Sequence, residues 1–266
     1  MATQLDPCTA AVTYRWLGMA VLTGLLALAA PVLAQQVDDR AYASDIAAAE
    51  ANGRVLYQHA RALATVQDVM QENRAMLRDR RIAGEITEGR NGQVVVTVID
   101  ATPAALYRAT VAADGTLVSP LTALPEPSPL SATEAAAALA RSTALNVDLP
   151  RCGRNYGTIT LPSSKDNEWV VYLLRTPSRG AVPIGGSFRV ETRGAEMVDW
   201  RRYTNTCITL SPARDAAAMI MTHLLDPVAT EVHVFWSLWS GKPLYVTTEE
   251  GLWKIADGRI AAVQDE

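Results

Sequence analysis

The chain has 266 residues, with 24 Lys+Arg against 28 Asp+Glu and a net charge of −4. Its 49% hydrophobic content is enough for a buried core. The mild acidity and the lack of a clustered Lys/Arg stripe exclude an electrostatic nucleic-acid binder.

Arg15 precedes an apolar run over residues 16–30, followed by Pro31-Val32-Leu33-Ala34 and polar Gln35-Gln36. A basic residue, an apolar core, a helix breaker and small residues follow in the order of a secretory signal peptide, cut after Ala34. The competing reading is an uncleaved anchor, since residues 16–34 just suffice to cross a hydrocarbon core of about 30 Å. Cleavage leaves 266 − 34 = 232 residues, and because Asp6 and Arg15 depart together the charge stays at −4. The mature chain keeps Cys152 and Cys207, and in an oxidising compartment such a pair reads as a disulfide spanning 207 − 152 = 55 residues.

Three regions follow the signal peptide (1–34): a helix with antiparallel strands over 35–119, a Pro-rich linker over 120–130, and a stapled α+β domain over 131–266. A helix is predicted over 44–79, with Ser44 and Asp45 as caps. Leu56, His59, Leu63, Val66, Met70, Asn73 and Leu77 fall on one stripe. The stripe suits either a coiled-coil dimer seam with Asn73 setting the register, or a helix lying across a sheet with His59 hydrogen-bonded at its edge. The second is preferred, because the seam covers barely three heptads. Strands are predicted over 82–88, 93–99 and 106–112, with hairpin chemistry at Gly89-Arg90-Asn91-Gly92 and a tight turn at Asp114-Gly115.

Pro120, Pro125, Pro127 and Pro129 mark a linker or an extended edge segment, and the candidate domain boundary. Ser131 and Glu134 then form a capping box for a helix ending near Asn146. Strands are predicted over 156–161, 169–175, 187–192 and 197–203. The order helix, then strands, thus occurs twice, a pattern compatible with two diverged α+β units.

The stretch Gly186-Ser187-Phe188-Arg189-Val190-Glu191-Thr192, a turn at Arg193-Gly194, and Met197-Val198-Asp199-Trp200 resembles the strand–turn–strand close of a PepSY unit. The resemblance extends to cystatin-like folds, and it implies a helix packed on a curled antiparallel sheet. It also implies protein binding or inhibition, and it carries no catalytic signature.

At the C-terminal end, an apolar segment over 216–225 leads to strands predicted over 231–239, 244–248, 251–255 and 259–263, a closing antiparallel meander. Along 231–239 both alternating faces are largely apolar, so this strand is expected to be covered on both sides. The fold class is therefore α+β: a long N-terminal helix, antiparallel sheets, and a C-terminal meander.

The chemistry-bearing residues are sparse. His223 and His233 flank Asp226 and Glu231, a set able to ligate zinc or act as acid and base, but no H-E-x-x-H or cysteine–histidine pattern accompanies it. No nucleophile elbow, S-x-x-K or phosphate-binding glycine loop occurs, so no cofactor is expected. Four of the six tryptophans, Trp200, Trp236, Trp239 and Trp253, lie late in the chain. Trp236 and Trp253 read as core, and Trp239, ending its segment beside a turn, is the best exposed anchor. Trp239, His233, Trp200 and Arg201 are the binding candidates.

Two functions are carried forward. The first is a periplasmic or secreted non-catalytic protein that binds another protein or an envelope component, meeting the membrane only through its N-terminal segment. The second is a hydrolase or metal-binding enzyme built on His223, His233, Asp226 and Glu231. A third role, a structural part of an assembly joined through the long helix, is open, as is the oligomeric state.

Overall fold

A computed structural model of the chain describes residues 40–177 and 180–264, so the expected signal peptide lies outside the described residues. Helix α1 runs Ala43–Glu72. It stops seven residues short of the predicted end, because Asn73 adopts an extended backbone and its side chain accepts the N–H groups of Ala75 and Met76. Asn73 is thus the cap of a short helix α2 (Arg74–Leu77), not a register-setting seam residue. The stripe of α1 is occupied within the chain: Leu56 and Val66 are fully buried, and Ala62 and Met70 are buried beside them.

Strands β1 (Ile82–Arg90), β2 (Gln93–Asp100), β3 (Ala105–Val111) and β4 (Leu117–Ser128) form an antiparallel meander in sequence order. Asn91 and Gly92 both take positive φ (52° and 75°), which the β1–β2 hairpin turn requires. The Pro-rich stretch is not a free linker but the edge strand β4. Its prolines are tolerated because an edge strand needs no N–H on its open side, and the β3–β4 register shifts three times along the pair. Val94, Val96 and Val98 meet Ala62, Val66 and Met70 of α1, while Ile86 and Ile99 on the other face meet Ala138.

Helix α3 (Ala132–Leu145) starts on the Ser131–Glu134 capping box. A second meander follows: β5 (Tyr156–Pro162), β6 (Glu168–Arg175), β7 (Phe188–Arg193) and β8 (Glu196–Arg202). Period-two alternation along β6 divides two cores. Val171 and Leu173 pack with α3, whereas Val170, Tyr172 and Leu174 face the largest core, which also holds Trp236 and Trp253. Cys152 and Cys207 are bonded, with Cα atoms 5.5 Å apart, and join the approach to β5 with the segment after β8. That segment is held close: Gly185 N–H donates to Ile208 O at 2.8 Å, and a Cβ on Gly185 would stand 2.0 Å from the Ile208 nitrogen.

The C-terminal region departs from the predicted meander. Residues predicted as its first strand form helix α4 (Glu231–Ser240). Val232 through Ser237 are six consecutive buried residues, so the helix is covered on all sides and shows no amphipathic stripe. Its start is fixed by His233 Nδ1, which accepts the Thr230 N–H at 3.0 Å, and its end by Gly241 at φ 66°. Helix α4 connects β9 (Met219–Thr222) to β10 (Leu244–Thr248), which run parallel and so need a crossover of this kind. β11 (Gly251–Ala256) and β12 (Arg259–Ala262) complete an antiparallel hairpin series as expected.

Two units of the expected order, helix then four strands, are present as α1 with β1–β4 and α3 with β5–β8, while the third sheet is built as β9–α4–β10–β11–β12; the fold is α+β with three four-stranded, mostly antiparallel sheets among the described residues. Helix α1 ties the first unit to the third. Gly53 lets α4 approach, since a Cβ there would lie 2.5 Å from Val234 Cβ, and buried Glu50 accepts the Ile260 N–H at 2.8 Å and pairs with Arg259 at 2.9 Å. The described residues belong to one compact unit, with no division at 120–130.

Candidate functional site

Trp239 sits one residue before the end of α4, where the helix emerges from the core. It is half-buried and stacks on Phe235, with ring centroids 5.9 Å apart and planes inclined by 30°. One side of it walls a groove of about 210 Å³ that runs between α1, α4 and the start of β5. Leu63, Ile159, Leu174 and Trp236 supply its apolar lining. Among the described residues no acidic residue lines this groove, and the one charged residue in its lining is Arg175. Arg175 donates to Thr209 Oγ1 at 3.0 Å and makes no ion pair among the described residues. Beneath the lining, Trp236 Nε1 is buried without a hydrogen-bond partner, whereas the equally buried Trp253 donates to Thr248 Oγ1 at 3.0 Å. A buried donor left without an acceptor costs on the order of 1–3 kcal/mol. On its other side Trp239 lines a cavity of about 710 Å³ together with Arg214 and Lys242.

The other binding candidates sit elsewhere. His233 is fully buried, so it belongs to the core and not to a recognition surface; its role is to cap α4. Trp200 is half-buried against Phe188, with centroids 6.1 Å apart. Arg201 lies 4.6 Å over the Tyr203 ring and donates to Asp226 Oδ2 at 2.6 Å.

The histidine set is brought together in part. The His223 and His233 rings lie edge to face with centroids 4.6 Å apart, and His223 Nε2 meets Asp226 Oδ2 at 2.8 Å. Asp226 thus serves His223 and Arg201 with the same oxygen. Burial alone would raise its pKa, but these two partners outweigh burial and hold the carboxyl down to about 2. Glu231 points to a different cluster, accepting the hydroxyls of Tyr172 and Tyr203, whose ionisation is pushed upward by burial and then by the Glu231 charge. Burial also drives His233 down to about 3, so it is neutral at physiological pH. His223 and His233 are 2% and 0% exposed, and among the described residues no group of three or more His, Cys, Asp or Glu is arranged to hold a metal ion. The set ties β8 to the β9–α4 connection.

A third location was not among the candidate sites, although a hydrogen-bonded His59 was expected there. A cleft of about 430 Å³ opens beside His59, whose Nδ1 meets Thr87 Oγ1 at 2.7 Å, confirming a hydrogen-bonded histidine at the sheet edge. Burial lowers this imidazole to about 4. Glu134 in the same lining is taken by Thr97, Arg108 and the Ser131 N–H. Arg175 was not singled out from the sequence, whereas Trp236 is core as expected, at 1% exposure. The place of Arg175 in the groove depends on contacts across the fold, and its strand-end position was the local signal.

No protein-family model matches the chain, and no curated protein matches it. Among solved structures it is similar to the YpeB C-terminal domain of Bacillus megaterium at 9% identity, over 54% of this chain and 64% of that one, with a TM-score of 0.18. The chain thus matches just under two thirds of that structure's length. An overlap of this quality carries no argument about function.

Proposed function

We propose that the protein is exported to the periplasm or secreted, and that it is a non-catalytic module that binds another protein or an envelope component through the face around Trp239. The observation that carries this reading is the placement of Trp239: a half-buried aromatic, braced by Phe235, standing between two open concavities. Large aromatics seated at the edge of apolar pockets are the usual anchors of interfaces. The Cys152–Cys207 disulfide supports export, because such bonds persist in oxidising compartments. The helix-then-meander unit, similar in its closing hairpin to PepSY units, supports a binding scaffold.

The test is affinity capture from envelope extract with the full tagged chain as bait, run beside Trp239→Ala. A stoichiometric partner retained by the wild type and lost from the variant, with unchanged thermal stability, is the expected outcome. Retention by the variant would remove Trp239 from the account. The enzyme reading keeps its own check, metal content of the purified protein and of His233→Ala. The burial of both imidazoles makes it the lesser proposal.

A further inference from the structure

We infer that the cleft beside His59 takes an extended peptide segment, free of acidic side chains, as an added strand on the edge of β1. The cleft shares no lining residue with the two concavities beside Trp239 and is independent of the reading of that face.

β1 and β5 are edge strands of the first and second sheets, and they lie close to one another. One end of the space between them is filled from within the chain: Arg141 of α3 lies against Gly84 and donates to Thr158 Oγ1 at 3.0 Å. The other end is the cleft of about 430 Å³. Ile86, Thr87, Glu88 and Gly89, consecutive in β1, line it, while β2 behind them contributes the alternate residues Val95 and Thr97. Consecutive residues on the outermost strand with alternation on the next place the cleft along the edge.

The register fixes which main-chain groups face it. The two-residue turn at Asn91 and Gly92 closes on a hydrogen-bonded pair, Arg90 with Gln93, and such pairs then alternate along the ladder. Glu88 and Ile86 therefore bond to β2, whereas Thr87 and Gly89 turn N–H and C=O to the open side. None of these outward groups has a partner among the described residues. Thr87 is 5% exposed, so its pair is buried as well as unmatched, which is costly without an added partner. His59 supplies a further contact. It too is 5% exposed, and its Nδ1 is taken by Thr87 Oγ1. Its Nε2 has no partner and, unlike His233 Nε2 and Trp236 Nε1, is not sealed off. Gly89 leaves the space over this atom open, since a Cβ there would stand 3.5 Å from it.

Donors and acceptors two residues apart on a strand, about 7 Å, are matched by a second extended main chain, in which they recur at the same spacing. A sugar ring or a hydrocarbon chain carries no such repeat. The cleft holds about fourteen non-hydrogen atoms at about 30 Å³ each, a three-residue stretch with small side chains. The charged residues in its lining, Glu88 and Glu134, are both acids, and their partners Arg90 and Arg108 stand outside it. An Asp or Glu on the segment is therefore repelled.

A displayed library of linear heptapeptides, held between Gly-Ser flanks so that neither end is free, is panned against the full chain. Enriched sequences depleted in Asp and Glu are expected. The best one, amidated and carrying an N-terminal fluorescein, is titrated by anisotropy. Gly89→Pro removes one outward N–H and leaves the β1–β2 ladder intact, because proline is tolerated on an open strand edge. It should weaken binding about tenfold or more at an unchanged denaturation midpoint. Amide hydrogen exchange in the wild-type chain needs no variant. The peptide should slow exchange at Thr87 and Gly89 about tenfold or more, and leave Ile86 and Glu88, already bonded to β2, unchanged.

No enriched sequence, enrichment of acidic segments, or an exchange pattern that spares Thr87 and Gly89 would overturn the inference. Wild-type affinity in Gly89→Pro would do the same. Trp239→Ala should bind the peptide as the wild type does, and a loss there would place the segment on the other face and remove it from β1.

Discussion

His59 and His233 give this protein a specific pH dependence. Both imidazoles are buried and held neutral, titrating in the fold near 4 and 3 against an ordinary value of 6.5. The unfolded chain therefore takes up these protons first as pH falls. Stability is complete above about 6.5, and each group removes about 1.4 kcal/mol per pH unit below that until its folded value is reached. Urea denaturation at pH 7 and pH 5 should differ by about 4 kcal/mol for the pair, at about 2 kcal/mol each. A flat stability over this range would contradict the neutral buried imidazoles. Asp226 adds loss only below its ordinary value of 3.8, because its partners hold it to about 2. At this scale the sequence was partly legible. The grouping of His223, Asp226 and His233 was legible from their closeness in the chain, and a hydrogen-bonded His59 from its place in an apolar stripe. The partnership of Arg201 with Asp226 was not, since it joins β8 to a connection 25 residues later.

Elements were legible where one face is buried and the other wet. The strands of the first two sheets alternate or sit between turn residues, and Ser131 with Glu134 marked the start of α3. Helix α4 failed this test for a physical reason. Val232 to Ser237 are buried on every side, so the sequence is apolar at both the strand and the helix period. Thr230 and Gly241 were the available boundary signals. The prolines of β4 left a linker and an extended edge segment both open, and the second holds, because an edge strand accommodates what a central strand rejects. The crossing of α1 on α4 depends on Gly53. Ala there gains about 1 kcal/mol of helix propensity but overpacks at a cost of about 1–3 kcal/mol. The new methyl would meet not only Val234 but the Glu231 carbonyl at 2.8 Å, which side-chain adjustment cannot relieve. Gly53→Ala should therefore lower the denaturation midpoint, and a raised midpoint would show that the helices do not pack this closely.

Across the described residues, three helix-and-sheet units share cores through α1 and α4. The third unit escaped the sequence reading because its helix did. The disulfide closes 55 residues of the second unit, and on the chain-entropy account replacing both cysteines by serine should cost about 2–5 kcal/mol. Unchanged stability with and without reductant would show that the bond is not formed in the folded protein. The units together leave Trp239 standing between two concavities, and the central claim is that this face meets a partner. Its most direct test is photo-crosslinking in intact cells from a benzophenone amino acid placed at position 239, with position 91 in the β1–β2 turn as control. A discrete adduct from position 239 that is absent from position 91 is the expected result. Equal or absent crosslinking from both positions would contradict a binding role for this face.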